Sequence, residues 1–173
     1  MIASQRMLVV GGCVLAVLLQ VLLAPYLGIG AVIPNFVLVF VMQLAVVRSR
    51  AFGCVLPFVM GLAYDLVSGM ALGPMAFSLT LFAVLVGRAF SLLDNDTLFM
   101  PLVMMVGGIL LVDLSYGLFM LFLGYDASLF EVFVYRIGPC FIYDAIVALI
   151  TYPLARRLLA LQSQARTDVI QLR

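Results

Sequence analysis

The chain has 173 residues, 66% of them hydrophobic and 10% charged, with a formal net charge of +1; soluble domains are about 45–50% apolar, so lipid must be the solvent here. The near-neutral balance offers no basic surface for nucleic acid. All nine basic residues are arginine and there is no histidine, which excludes a His-based triad.

Helix 1 is predicted over about Met7 to Leu23, stopping at Ala24-Pro25-Tyr26 ahead of a Gly28-Ile29-Gly30 loop. Arg6 before this run resembles a signal peptide, but no small-residue cleavage site follows, and the run is read as an uncleaved first helix. Helix 2 is predicted from Pro34 to Val47, with Pro34 in its first turn. Arg48-Ser49-Arg50 forms a tight charged turn. Helix 3 covers about Ala51 to Leu66 with Pro57 as an internal kink, and Ser68 to Pro74 is a Gly-rich break. Helix 4 covers about Met75 to Gly87, followed by a polar loop from Arg88 to Thr97. Helix 5 covers about Leu98 to Leu123, and Gly124 to Glu131 is a short acidic loop. Helix 6 covers about Val132 to Leu154, and 155–173 is a polar tail with four arginines. Six spans of ~20 residues leave no loop able to hold a folded catalytic domain. The expectation is a single all-α transmembrane domain and no enzyme.

Arginine placement orients the chain. With the N-terminus inside, Arg6, Arg48, Arg50, Arg88, Arg156, Arg157, Arg166 and Arg173 all fall on the cytoplasmic side, and the external loops hold none. Six spans with both ends cytoplasmic follow; five spans, with helix 3 and the break after it re-entrant, are the alternative. Cys13, Cys54 and Cys140 each sit in an apolar run, far apart in sequence, and are read as packing residues with no metal or disulfide role. No phosphate-binding Gly-Lys-Ser/Thr loop is present, and no cofactor is expected.

Four ionisable groups lie inside predicted spans: Asp65, Asp113, Arg136 and Asp144. Each costs about 2.5–3.5 kcal/mol to insert, so each needs a partner, a proton or a wet cavity. Asp65 and Arg136 are expected at similar depth near the outer face, where they could form an ion pair. Asp113 and Asp144 are expected to share a layer on adjacent antiparallel helices. They could carry a proton or, as the structural reading has it, hydrogen-bond to backbone or to hydroxyls such as Tyr116 and Tyr143. Small residues one turn apart, Gly12 with Ala16 and Ala145 with Ala148, and the adjacent Gly107 and Gly108, permit close helix approach.

One segment is more specific. Gly61-Leu62-Ala63-Tyr64-Asp65-Leu66-Val67-Ser68-Gly69, then Leu72-Gly73, resembles the G-x-x-x-D-x-x-S-G-x-x-x-G signature of the MreD family, rod-shape-determining membrane proteins of bacteria. Pro34-Asn35-Phe36-Val37-Leu38 resembles that family's opening of helix 2, although Ile33 stands where the family often has Arg. Leu111-Val112-Asp113 resembles its acid in helix 5. The resemblance covers about Pro34 to Arg157. It implies a fold similar to the substrate-binding subunits of energy-coupling-factor transporters. It also implies a non-catalytic scaffold in the bacterial plasma membrane, working in cell elongation with a bitopic MreC-like partner. MreB-like filaments and the peptidoglycan synthase would be engaged indirectly. The alternative is a vitamin-binding subunit of such a transporter. Within the motif, Gly61 would allow close packing, Asp65 and Ser68 would cap broken backbone, and Gly69 and Gly73 would take positive φ. A surface for a partner's helix would be a long groove between two spans, lined by Gly, Ala and β-branched residues with few charges.

Overall fold

The computed structural model describes residues 2–29, 32–49, 53–69, 71–92, 99–123, 134 and 137–171, with side chains described between 7 and 158. Six α-helices are present among them: α1 (Ile2–Leu22), α2 (Phe36–Val47), α3 (Val55–Ser68), α4 (Pro74–Leu92), α5 (Phe99–Phe122) and α6 (Gly138–Gln171). The described residues contain no strand, only an isolated bridge between Ile29 and Val32. Pro74–Leu92, Phe99–Phe122 and Gly138–Leu158 are long and apolar enough to cross a membrane; Met7–Leu22, Phe36–Val47 and Val55–Ser68 are shorter apolar helices.

Several boundaries differ from the sequence expectation, each for a local reason. Helix 2 opens at Phe36 with Asn35 as its N-cap, so Pro34 precedes the helix. Helix 3 opens at Val55, which puts Pro57 in its first turn. There the missing N–H is one the helix would leave unpaired anyway, and no kink is required. Helix 4 continues through Arg88 to Leu92, a segment expected as loop. Helix 6 carries on past Leu154 to Gln171, with Pro153 inside it, so the expected tail is helical. Polar residues such as Gln162, Gln164 and Arg166 are good helix formers; apolar periodicity marks where lipid ends, not where the helix does.

Helix α2 is the centre of the bundle. It packs against α1, α3, α4, α5 and α6, and Val37, Leu38, Val41 and Met42 are fully buried. A helix apolar on every face belongs inside other helices. Its neighbours supply Leu79 from α4, Met105 and Ile109 from α5, and Ala148 from α6 to the same core. Their outward faces carry exposed Leu15, Leu18, Phe58, Leu85, Val103, Ile146 and Ile150. In water such a surface would drive aggregation; in lipid it is the proper solvent face.

Helices α3 and α4 are in close backbone approach at Gly61. A Cβ there would stand 2.5 Å from Ala76 Cα and 2.9 Å from Met75 O, both backbone atoms that cannot swing aside. At Gly107 on α5 nothing lies within 4 Å of such a Cβ. Gly61→Ala should therefore destabilise the bundle by about 1–3 kcal/mol, while Gly107→Ala should leave it unchanged or slightly steadier. Unfolding of both variants in mild detergent checks this, and equal midpoints would refute the close contact.

Candidate functional site

A helix start leaves its first backbone N–H groups without partners, and in lipid each unsatisfied group costs several kcal/mol. Two helix starts in this bundle are satisfied by an acid from another helix. At the first, Asp65 of α3, fully buried, accepts three backbone N–H bonds at the head of α4. Gly73 N and Ala76 N donate to Oδ2 at 2.9 and 3.1 Å, and Met75 N donates to Oδ1 at 3.2 Å. Ser68 Oγ donates to Asp65 O at 3.0 Å. Gly69 ends α3 at φ +65° and Gly73 has φ +112°, conformations that side chains with a Cβ rarely adopt. The five fixed residues of the G-x-x-x-D-x-x-S-G-x-x-x-G segment thus serve one tight link, with Gly61 packed beneath it. Arg136, the expected partner of Asp65, lies outside the described residues.

At the second start, Asp144 of α6 accepts from Asn35 N at 2.7 Å. Phe36 N donates to Gln20 Oε1 of α1 at 2.8 Å, and Leu38 N donates to Asn35 Oδ1 at 2.9 Å. Gln20 Nε2 donates to Pro34 O at 3.2 Å. Three helices thereby converge on the Pro34-Asn35 opening. Deeper along α2, buried Gln43 donates from Nε2 to Ala148 O at 3.1 Å and to Thr151 Oγ1 at 2.6 Å. Gln20 and Gln43 were not singled out from sequence. The signal was available: each is an amide in a long apolar run, where an unbonded amide would be costly.

Asp113 and Asp144 line one cavity of about 330 Å³ at the end of the bundle holding the α1–α2 and α3–α4 connections. Tyr64 and Tyr116 also line it and meet edge to face, centroids 6.3 Å apart and planes at 83°. Asp113 Oδ2 is buried with no hydrogen-bond partner. Tyr143 does not serve the acids; its hydroxyl donates to Leu27 O at 3.0 Å.

A second concavity, about 480 Å³ and almost wholly apolar, runs along α1, α2 and α6. Its walls extend from Leu8 to Leu19 on α1 and from Val147 to Leu158 on α6, each ~16 Å at 1.5 Å per residue. Gly11, Gly12, Ala16 and Ala155 keep it shallow-walled, and Val39, Val147 and Thr151 are its β-branched lining. Among the described residues no charged side chain lines it. Gly12 also faces inward, with a Cβ there falling 2.5 Å from the Phe40 ring, whereas Gly11 has open space. Cys13, Cys54 and Cys140 form no disulfide with one another.

Residues 3–162 match the family model described as rod shape-determining protein MreD. No curated protein and no solved structure matches.

The Asp65 link generates a graded expectation. Asp65→Ala strands three backbone donors and should cost on the order of 3 kcal/mol or more. Asp65→Asn keeps one carbonyl oxygen, which can still take the two bonds now made to Oδ2, and should cost less than half as much. Thermal unfolding of the detergent-purified variants reads the order; an Asn variant as weak as the Ala variant would contradict the bonding described.

Proposed function

The chain belongs to the MreD family, whose role is rod-shape determination, and from that premise we propose that it is a non-catalytic scaffold that holds the single transmembrane helix of an MreC-like bitopic partner. In this reading it performs no covalent chemistry. The partner brings the peptidoglycan synthase and MreB-like filaments of the elongation machinery with it. The protein sits in the bacterial plasma membrane, six helices spanning, with both termini cytoplasmic.

The observation that carries the reading is the groove along α1, α2 and α6. Between helices in lipid there is no hydrophobic driving force, so association depends on close packing at small residues. This groove offers Gly11, Gly12, Ala16 and Ala155 over ~16 Å, about three helical turns, and among the described residues no charge that a partner would have to neutralise. The topology is supported by the eight arginines on one side and none in the opposite loops.

Two experiments test this. Single-cysteine labelling in a background lacking the native cysteines should leave a probe at Ser49 closed to membrane-impermeant reagent, while one at Ser128 reacts from outside. External labelling at Ser49 would overturn the orientation. Co-purification addresses the partner. A full-length MreC-like protein should be retained in mild detergent, and the same protein without its transmembrane helix should be lost. Gly11→Leu fills the groove where there is room for the side chain. It should lower retention at least tenfold while leaving thermal stability within about 1 kcal/mol of the parent. Undiminished retention by either route removes helix holding as the mechanism.

A further inference from the structure

The cavity between α3, α5 and α6 is separate in chemistry from the groove, and the helix-holding reading makes no use of it. Its polar lining is unevenly committed. Gln20 is engaged through both its oxygen and its nitrogen, Asn35 Oδ1 takes Leu38 N, and Ser68 Oγ bonds to Asp65 O. Asp144 Oδ1 takes Asn35 N. Asp113 Oδ2 is buried with no protein donor. The site thus has two acids on the lining of a space of about 330 Å³, large enough for several non-hydrogen atoms, and one of them keeps a buried, unanswered acceptor in the wall.

A proton or a cation would answer them, because two acids around one low-dielectric space repel each other when both are charged, and the cavity has room for a cation. The walls fit an organic cation better than a bare metal ion. Tyr64 and Tyr116 stand edge to face on the lining, and aromatic faces attract ammonium groups. Among the described residues no three potential ligands cluster for a metal. The apolar remainder, Ile33, Val67, Met75 and Ile137, suits the carbon attached to a charged nitrogen.

We infer that this cavity binds a protonated amine, with Asp113 and Asp144 as counter-ions and Tyr64 and Tyr116 as its aromatic wall. Two sources offer that chemistry: the ethanolamine headgroup of a phospholipid, and a free small amine.

Native mass spectrometry of the full chain separates them. The protein is released from nanodiscs of equal phosphatidylethanolamine and phosphatidylglycerol, and separately exposed to free ethanolamine. At least tenfold preferential retention of phosphatidylethanolamine, without an ethanolamine adduct, assigns the headgroup. An adduct of free ethanolamine assigns the soluble amine. In either case the signal should fall at least tenfold in Asp113→Asn, a near-isosteric change at an oxygen that makes no bond in the fold. It should also fall in Tyr64→Leu, and persist in Gly107→Ala. Absence of both signals, or a signal that Asp113→Asn leaves intact, overturns the inference. Partner retention is not measured, so failure here leaves helix holding standing.

Discussion

The bundle depends on finding hydrogen-bond acceptors for helix starts that water cannot reach. Helix α2 has 12 residues and α3 has 14, ~18 and ~21 Å at 1.5 Å per residue. A hydrocarbon layer is about 30 Å thick. Laid across it, each of these helices leaves at least one end within the layer. Non-helical backbone survives at that depth only when the protein itself satisfies it. Asp65 does so for α4 and Asp144 for α2, each from a neighbouring helix. A carboxylate is suited to the task because it accepts from several donors at once and lies against the positive end of the helix dipole. The acids that seem misplaced in a lipid-solvated chain are what satisfy helix starts at that depth.

With those starts secured, the remaining surfaces are free to differ. One flank, along α1, α2 and α6, is almost wholly apolar and made shallow by small residues. One end, between α3, α5 and α6, is polar and concave. They adjoin at the opening of α2, where Asn35 lines the polar cavity and Phe36 lines the groove. The two faces require opposite chemistry of whatever meets them: close van der Waals packing on one, charge and hydrogen bonding on the other. The division of labour follows from which residues each helix turns away from α2.

Much of this was legible in the sequence because lipid simplifies the code. Long apolar runs marked the helices, and the spacing of Gly61, Asp65, Ser68, Gly69 and Gly73 marked a tight turn between two of them. The partners of the acids were not legible. Charge and depth point from Asp65 to Arg136, which lies outside the described residues, but not to the backbone N–H groups of Gly73, Met75 and Ala76 that its carboxylate accepts, because backbone carries no letter in the sequence. Tyr143 was assigned to the acids by proximity along the chain, but hydroxyl direction depends on helix rotation, and it serves Leu27 O instead. Pro57 falls in the first turn of its helix and Pro34 two residues ahead of its own, because apolar runs blur where helical hydrogen bonding begins. The roles of Gln20 and Gln43 required knowing which carbonyls lay opposite.

The two acid links differ in how far they reach along the chain. Asp65 and Gly73 are 8 residues apart, whereas Asp144 and Asn35 are 109 apart. During synthesis the α3–α4 hairpin can complete its link as soon as both arms have emerged. The opening of α2 must wait for the last helix. Until α6 arrives, the N–H of Asn35 lacks its acceptor, and the head of the central helix is held only by Gln20 of α1. Insertion is thus bracketed by an early local closure and a late long-range one, and a chain that stops short of Asp144 is left with an exposed defect at its core. Quality-control proteases that sense unsatisfied backbone within the bilayer would find in it a ready means of telling unfinished copies from finished ones.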